Sequence, residues 1–375
     1  MRYFVVAGEL SGDVHGANLV NALKKMDNGS DFCGWGGPNM RNAGVLTFVD
    51  TAVTAQMGWL KIIQNPFFWI NKVRDCHRQI LDYKPDVLIL VDFSGFNLRL
   101  STWAKKRNIP VFYFIAPKLW AWNAKRVDII KKSVTHLFVI FPFEVAFFQK
   151  LGYEKVTYVG NPLIDALSSF CPITENPSST EKTTEKKIIA LLPGSRLQEV
   201  ERSLPVMLEV TKYMPDYQFI VAGVSMIERQ FYERFLQEYK EVKICFQETY
   251  TLLSQASFAV VTSGTATLET AWFNVPQVVV YKTDFLTYLL ARLVLRLEWI
   301  SLVNILLQKK AVPELIQFRF TPKNVVKELN ELINNEEKRS FQQSEYQKLR
   351  SELGEKGASN EVASHIYHIL KSKEE

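Results

Sequence analysis

The sequence predicts an α/β protein with two Rossmann-like, doubly wound parallel-sheet domains that face a cleft. Short apolar runs alternate with longer helical patterns along the whole chain, which is the rhythm of βαβ units. This rhythm occurs twice, on either side of a polar segment at 172–187. The length of 375 residues also exceeds what one ordinary core accommodates.

Eight apolar runs are predicted to be strands buried on both faces, because they lack the alternation of half-exposed strands. They cover 2–7, 86–92, 111–116, 136–140, 187–192, 217–222, 258–263 and 277–281. Helical patterns between them cover 15–26, 98–107, 122–132, 142–150, 198–213, 225–239 and 265–273. Each strand therefore returns through a helix, as a parallel sheet requires.

The polar segment 172–187 clusters Pro, Ser, Thr and Lys with almost no apolar residues, so we predict a linker or an exposed loop. It separates a first domain over 1–171 from a second over 188–322. Residues 323–375 are predicted to form a charged helical tail, which could pack on either half, including back on the first domain.

Composition excludes several classes of protein. The four cysteines form no CxxC pair and the five histidines no HxxxH or HxH pair, so neither a disulfide scaffold nor a metal site is predicted. No cofactor motif is present, and no uncharged apolar run is long enough to span a membrane. The net charge of +6 leaves nucleic acid, an anionic membrane surface or an acidic substrate as partners.

The loop after the first predicted strand is a candidate ligand site, because ligands bind at the carboxyl ends of strands in such sheets. Its glycines allow close backbone approach, although their spacing is not GxGxxG. The candidate residues of this loop, which would face the cleft, are Gly8, Glu9, Ser11, Gly12 and Asp13. A tight turn capped by Ser11 or Asp13 is the alternative.

Asp92 ends an apolar strand and is the candidate catalytic base. A partly buried carboxylate in a cleft has a raised pKa and can accept a proton from a substrate. The alternative is an N-cap for the helix predicted near Leu98, although Asn97 is better placed for that role.

Two loops of the second half have the features of phosphate-binding loops. In the first, Gly194 and Ser195 offer backbone amides and Arg196 a positive fork. The second joins small and hydroxyl residues to an acid one turn into a helix, which suits a ribose or complements the helix dipole. Its residues are Ser263, Gly264, Thr265 and Glu269. Together the two loops indicate a nucleoside diphosphate.

The segment 57–74 combines aromatic and aliphatic residues with Lys and Arg and has no acid. Pro66 is predicted to split it into two short helices. Exposed, it would lie in the interface of an anionic membrane; the alternative is a core-packing helix pair. The predicted membrane contacts are Trp59, Leu60, Ile63, Phe67, Phe68 and Trp69. Nucleic acid fits poorly, because the aromatics lie among aliphatics rather than along a basic groove.

Several motifs, in order over about residues 3–310, resemble the lipid-A-disaccharide synthase family. They are Gly8-Glu9-x-Ser11-Gly12-Asp13, Gly37-Pro38-x-Met40, Pro85-Asp86-Val87 leading to Asp92, Trp120-Ala121-Trp122 with Lys125-Arg126, Phe141-Pro142-Phe143-Glu144, Val159-Gly160-Asn161-Pro162, Leu192-Pro193-Gly194-Ser195-Arg196 with Glu199-Val200, Ser263-Gly264-Thr265-Ala266-x-Leu268-Glu269 and Ser301-Leu302-x-Asn304. One departure is Ser94-Gly95-Phe96-Asn97, where the family has Pro-Asp-Phe-Asn.

The resemblance implies a GT-B, metal-independent, inverting glycosyltransferase. Its donor would be UDP-2,3-diacylglucosamine and its acceptor 2,3-diacylglucosamine 1-phosphate. It would act as a peripheral protein on the cytoplasmic face of the inner membrane of a Gram-negative cell, with a homodimer left open. The family's catalytic aspartate falls on Asp92, and the donor-binding residues include Asn304 besides the residues of the two phosphate-type loops. The rivals are a UDP-sugar epimerase of the same fold and a non-catalytic membrane-associated nucleotide-binding protein.

Overall fold

The computed structural model describes residues 1–50, 66–121, 123–170, 186–284, 288–289 and 298–372. The chain divides into two compact units. The first comprises Met1–Asp165 together with Leu353–Glu375, and the second comprises Ala166–Glu352. Each unit contains one parallel sheet covered by helices on both faces. The predicted α/β class with two doubly wound sheets is therefore confirmed.

The sheet of the first unit has seven parallel strands in the order β3-β2-β1-β4-β5-β6-β7. The strands are β1 (Arg2–Ala7), β2 (Asp31–Trp35), β3 (Leu46–Val49), β4 (Val87–Val91), β5 (Val111–Phe114), β6 (His136–Val139) and β7 (Val156–Tyr158). Its helices are α1 (Leu10–Met26), α2 (Pro38–Asn42), α3 (Pro66–Tyr83), α4 (Ser94–Lys105), α5 (Val127–Ser133), α6 (Pro142–Lys150) and α7 (Pro162–Ser169), the last of which extends into the second unit.

The sheet of the second unit has six parallel strands in the order β10-β9-β8-β11-β12-β13. They are β8 (Ile188–Leu192), β9 (Gln218–Gly223), β10 (Lys243–Phe246), β11 (Phe258–Thr262), β12 (Gln277–Tyr281) and β13 (Glu314–Ile316). The helices that follow are α8 (Leu197–Thr211), α9 (Arg229–Leu236), α10 (Thr249–Gln255), α11 (Ala266–Trp272), α12 (Leu302–Leu307), α13 (Pro322–Asn334), α14 (Glu336–Leu353) and α15 (Ala358–Lys371).

Alternate residues of the central strands enter two separate cores. In β1, Phe4 and Val6 pack into one core while Tyr3 and Val5 pack into the core on the opposite face. In the second unit, the even and odd residues of β8 separate in the same way. Because both faces are buried, these strands carry the continuous apolar runs from which they were predicted.

The chain returns to the first unit at its end. Within α15, Val362, Ala363 and Ile366 join the core that β1 and α1 line. In contrast, α13 contributes Val325 and Leu329 to the core of the second unit. The predicted linker lies outside the described residues except for 186 and 187, and the domain boundaries around it stay a prediction.

Candidate functional site

The order of strands in the first sheet brings two candidate loops together. The strand order reverses between β1 and β4, and ligands of open α/β sheets bind beside such a switch point. Ala7 of β1 pairs in register with Val91 of β4. Gly8 and Asp92, the next residue of each strand, therefore leave the sheet side by side.

Gly8 is required by the packing between these loops. A Cβ atom at this position would lie 2.2 Å from Cδ1 of Phe93. The aromatic ring in turn stacks on Phe96, with ring centroids 5.4 Å apart. Any side chain at position 8 would displace Phe93 and with it the neighbouring Asp92.

Asp92 occupies a strained turn that several hydrogen bonds hold in place. Asp92 and Phe93 have φ angles of 48° and 50°, a left-handed conformation that is unfavourable for residues other than glycine. The carbonyl of Asp92 accepts hydrogen bonds from Asn97 Nδ2 at 2.7 Å and from the Tyr113 hydroxyl at 2.6 Å. Its N–H donates to the carbonyl of Phe114 at 3.0 Å. These hydrogen bonds fix the backbone of Asp92, from which its half-buried side chain extends.

The helix after Asp92 begins at Ser94, four residues earlier than predicted, with Phe93 as its N-cap. The alternative that Asn97 or Asp92 caps this helix is therefore wrong. Asn97 lies inside the first turn, fully buried, and its amide binds the carbonyls of Val91 and Asp92 instead. Burial raises the pKa of Tyr113 well above its usual value, so its hydroxyl remains a donor.

The remaining residues of the Gly8 loop differ in exposure. Ser11 is exposed, Glu9 is half-buried at the N-cap of α1, and Gly12 is buried. Asp13 is fully buried and accepts four hydrogen bonds of 2.6–3.0 Å from Gly37, Asn39 and Met40 at the start of α2. Because a carboxylate has about four acceptor positions, Asp13 is fully used within the fold.

The second sheet brings the two phosphate-type loops together at its own switch point, between β8 and β11. Leu192 pairs in register with Val261, so both loops leave the sheet at the same edge. Gly194 has a φ of 120°, and a Cβ atom there would lie 2.6 Å from Cβ of Glu199. Glycine is therefore needed at position 194.

The amides of the first loop already have a carboxylate partner. Glu199 Oε2 accepts the backbone N–H groups of Ser195 at 3.0 Å and Arg196 at 3.3 Å. The Arg196 side chain is 72% exposed, and its guanidinium lies 3.8 Å from Glu199. Glu199 thus already occupies the amides that were expected to form a cradle, whereas the Arg196 guanidinium is largely exposed.

The second loop is fixed through its serine. Ser263 Oγ donates to the carbonyl of Ile300 at 2.7 Å, while Thr265 is exposed at the N-cap of α11. Among the described residues, and apart from its two neighbours in the chain, no atom lies within 4 Å of a Cβ built on Gly264. Burial raises the pKa of the Glu269 carboxyl to about 7, so this group changes charge near neutral pH.

Asn304 lies in the same region but is used inside the fold. It is fully buried. Its Oδ1 accepts the N–H groups of Ala311 and Val312 at 2.8 and 2.9 Å, and its Nδ2 donates to the Val312 carbonyl at 2.9 Å and to Glu314 at 2.8 Å. Every hydrogen-bonding position of the amide is filled.

Sequence reasoning assigned no supporting role to Tyr113 and Glu314, which hold these loops, or to Glu144, which occurs only within a family motif and holds the start of α6. Tyr113 stands out only as the one hydroxyl in an apolar strand. Glu144 accepts Trp120 Nε1 at 2.9 Å and two N–H groups at the start of α6, and burial raises its pKa to about 7. Glu314 belongs to no motif recognised in the sequence.

The predicted membrane contacts Trp59, Leu60 and Ile63 lie outside the described residues. Phe67, Phe68 and Trp69 belong to the first turn of α3, and their side chains are likewise outside the description. This helix runs unbroken from Pro66, whereas the part of the segment before Pro66 is not described. None of the helices in the described ranges is long and apolar enough to cross a bilayer.

Solved structures of other proteins share the fold of this chain at low sequence identity. The structure is similar to UDP-GlcNAc 2-epimerase from Neisseria meningitidis bound to UDP-GlcNAc, with a TM-score of 0.65, 17% identity, and coverage of 99% of this chain and 100% of that chain. It is similar to the calicheamicin glycosyltransferase CalG4, with a TM-score of 0.63, 13% identity, and coverage of 99% and 98%. At these identities the likeness shows the fold alone, which agrees with the predicted GT-B type.

The sequence relatives are more specific. The family model for lipid-A-disaccharide synthetase matches residues 3–369. The lipid-A-disaccharide synthase of Syntrophus aciditrophicus (strain SB) is 35% identical over 376 residues, which cover 99% of this chain and 98% of that protein. The chain therefore belongs to the lipid-A-disaccharide synthetase family.

Proposed function

We propose that this chain joins UDP-2,3-diacylglucosamine to the 6-hydroxyl of 2,3-diacylglucosamine 1-phosphate and releases UDP. As a member of its family it is a glycosyltransferase of lipid A biosynthesis, with a nucleotide-sugar donor and a sugar-phosphate acceptor. The finer assignment rests on one observation above all. Asp92 lies at the switch point of the first sheet, in a turn that is held in a strained conformation.

Asp92 is proposed to be the general base. It would accept the proton of the acceptor's 6-hydroxyl as that oxygen attacks the anomeric carbon, which inverts the configuration there. Gly8, Glu9, Ser11 and Gly12 would border the acceptor. The acceptor positions of the Asp13 carboxylate are already occupied within the fold. This supports a structural role for Asp13, which would hold the loop against the start of α2.

The second unit is proposed to hold the donor. Arg196 would neutralise charge on the departing diphosphate, as an exposed guanidinium can in place of a metal ion. Gly194 and Ser195 would shape its loop, and Ser263, Gly264 and Thr265 the neighbouring one. Glu269 would bind the ribose hydroxyls. All hydrogen-bonding positions of the Asn304 amide are occupied within the fold. Asn304 would therefore serve the donor site indirectly, by holding the neighbouring chain in place.

The membrane assignment is also a proposal. The aromatic and basic composition of 57–74 supports docking on the anionic, cytoplasmic face of the inner membrane, where acylated substrates are available. Flotation with anionic liposomes should weaken when Phe67, Phe68 and Trp69 become Ser. Unchanged flotation would remove this segment as the anchor. A homodimer stays a prediction.

Product analysis tests the reaction. Incubation with both acylated substrates should give a disaccharide 1-phosphate by mass spectrometry, and the coupling constant of its new anomeric proton should show a β linkage. Asp92→Asn should form little product while binding UDP with unchanged affinity, because the carboxylate acts on the acceptor. Normal turnover by Asp92→Asn would rule out this residue as the base.

A further inference from the structure

Glu314, the first residue of the edge strand β13, collects donors from one turn of the second unit. Its carboxylate accepts the N–H of Ile300 at 3.0 Å, the N–H of Ser301 at 2.9 Å and Nδ2 of Asn304 at 2.8 Å. Three donors that converge on one half-buried carboxylate fix the position of the turn over 300–304.

The same turn carries the acceptor for Ser263. The peptide unit between Ile300 and Ser301 donates its N–H to Glu314 and accepts the Ser263 hydroxyl at its carbonyl, at 2.7 Å. Bonds at the two ends of one peptide polarise each other and strengthen together. A continuous path of hydrogen bonds therefore connects Glu314 with the first residue after β11.

This path of hydrogen bonds limits how the Ser263 hydroxyl can bind a ligand. While it donates to Ile300, its single proton is not available for a phosphate oxygen. The backbone N–H of Ser263 donates to the carbonyl of Val280 at 2.9 Å, so that group is also engaged. Ser263 therefore acts on a ligand mainly through the shape that its bonds impose on the loop.

We propose that Glu314 is a positioning residue for the donor site. Through the Ile300–Ser301 peptide it sets the orientation of Ser263 and thereby the loop Ser263–Thr265, whose ligand is a nucleoside diphosphate. The inference rests on the proposed function, in which this loop holds the diphosphate of the donor.

A double-mutant cycle on UDP affinity tests this path, with Ser263→Ala, Glu314→Gln and the double variant measured by calorimetry. Gln has the size of Glu, but its Nε2 group is a donor and would meet the three groups that donate to Glu314, which are the N–H of Ile300, the N–H of Ser301 and Nδ2 of Asn304. Each single variant should weaken UDP binding about fivefold to tenfold, the effect of one lost hydrogen bond. The double variant should bind UDP no more weakly than the worse single variant, because both break the same path. Multiplying effects, or unchanged affinity in Glu314→Gln, would overturn the inference.

A matched control separates positioning from loss of stability. Tyr346→Phe removes a buried hydroxyl that receives a bond from Gln277 Nε2 at 3.2 Å in the same unit. It should lower the unfolding temperature without changing UDP affinity, and weaker UDP binding in this variant would contradict the positioning role of Glu314. If Glu314→Gln does not fold, Glu314→Asp takes its place in the cycle, since it keeps the charge but withdraws the carboxylate. A wild-type chain that binds no UDP would refute the proposed function itself.

Discussion

The strained turn at Asp92 leads to a quantitative prediction for Tyr113. Two successive left-handed residues cost about 1–2 kcal/mol each. The main-chain groups of Asp92 receive or donate three hydrogen bonds, from Asn97, from Tyr113 and to Phe114, and each contributes about 0.5–1.5 kcal/mol net. The two sums are similar in size, so the turn has little reserve when one bond is lost.

Tyr113→Phe removes one of these bonds and leaves the ring in the core. The active conformation should lose about 1 kcal/mol, and because about 1.4 kcal/mol corresponds to tenfold, kcat should fall about fivefold. The KM for the UDP-sugar should not change, because the loops proposed to bind the donor belong to the other unit. The assay is initial-rate UDP release at saturating acceptor and varied donor.

Tyr153→Phe is the matched control. This buried tyrosine also donates to a backbone carbonyl, that of Val134 at 3.2 Å, but next to the amino end of β6. It should cost similar stability in urea unfolding and leave kcat unchanged. An unchanged kcat in Tyr113→Phe, or equal losses of kcat in both variants, would refute the reasoning.

Three further predictions test other parts of the structure. Gly8→Ala places a Cβ against the Phe93 ring and should lower the free energy of unfolding by about 1–3 kcal/mol and remove most activity. Gly95→Ala, where no described neighbour outside its own helix comes within 4 Å of the added Cβ, should leave activity unchanged and not lower the free energy of unfolding. The pKa of Glu144 is raised from 4.5 to about 7, so the fold is more stable at acid pH. The free energy of unfolding should decrease by up to about 3 kcal/mol as the pH rises through about 7. Glu144→Gln should flatten this pH dependence when unfolding in urea is measured at pH 5–8. Asp13→Asn replaces acceptors of backbone N–H groups by a donor and should lower the unfolding free energy by about 2–3 kcal/mol.

Continuous burial made the central strands predictable to within two residues, as in 187–192 against the observed Ile188–Leu192. The strands that were missed are short and lie at or near the edges of the sheets, where one face is less buried and polar residues interrupt the apolar run. Lys243–Phe246 and Glu314–Ile316 are examples. Each of these strands forms by pairing with a neighbouring strand of the sheet, and the local sequence pattern contains no information about that neighbour.

The positions of the candidate loops were predictable from the sequence, but the groups that support these loops were not. Strand ends with glycine and polar residues indicated Gly8, Asp92, Gly194 and Ser263, and the sheets bring them to the two switch points. Their hydrogen bonds come from distant parts of the chain, such as Ile300 for Ser263. Sequence spacing contains no information about such partners, and it did not reveal that Glu199 occupies the amides of Ser195 and Arg196.

Acceptor-dependent UDP release tests the central claim most directly. The wild-type chain, given UDP-2,3-diacylglucosamine, should release UDP rapidly only when 2,3-diacylglucosamine 1-phosphate is present. Asp92→Asn should bind UDP normally and release almost none from the donor. Release at the same rate without the acceptor, or full release by Asp92→Asn, would contradict a transferase that uses Asp92 as its base.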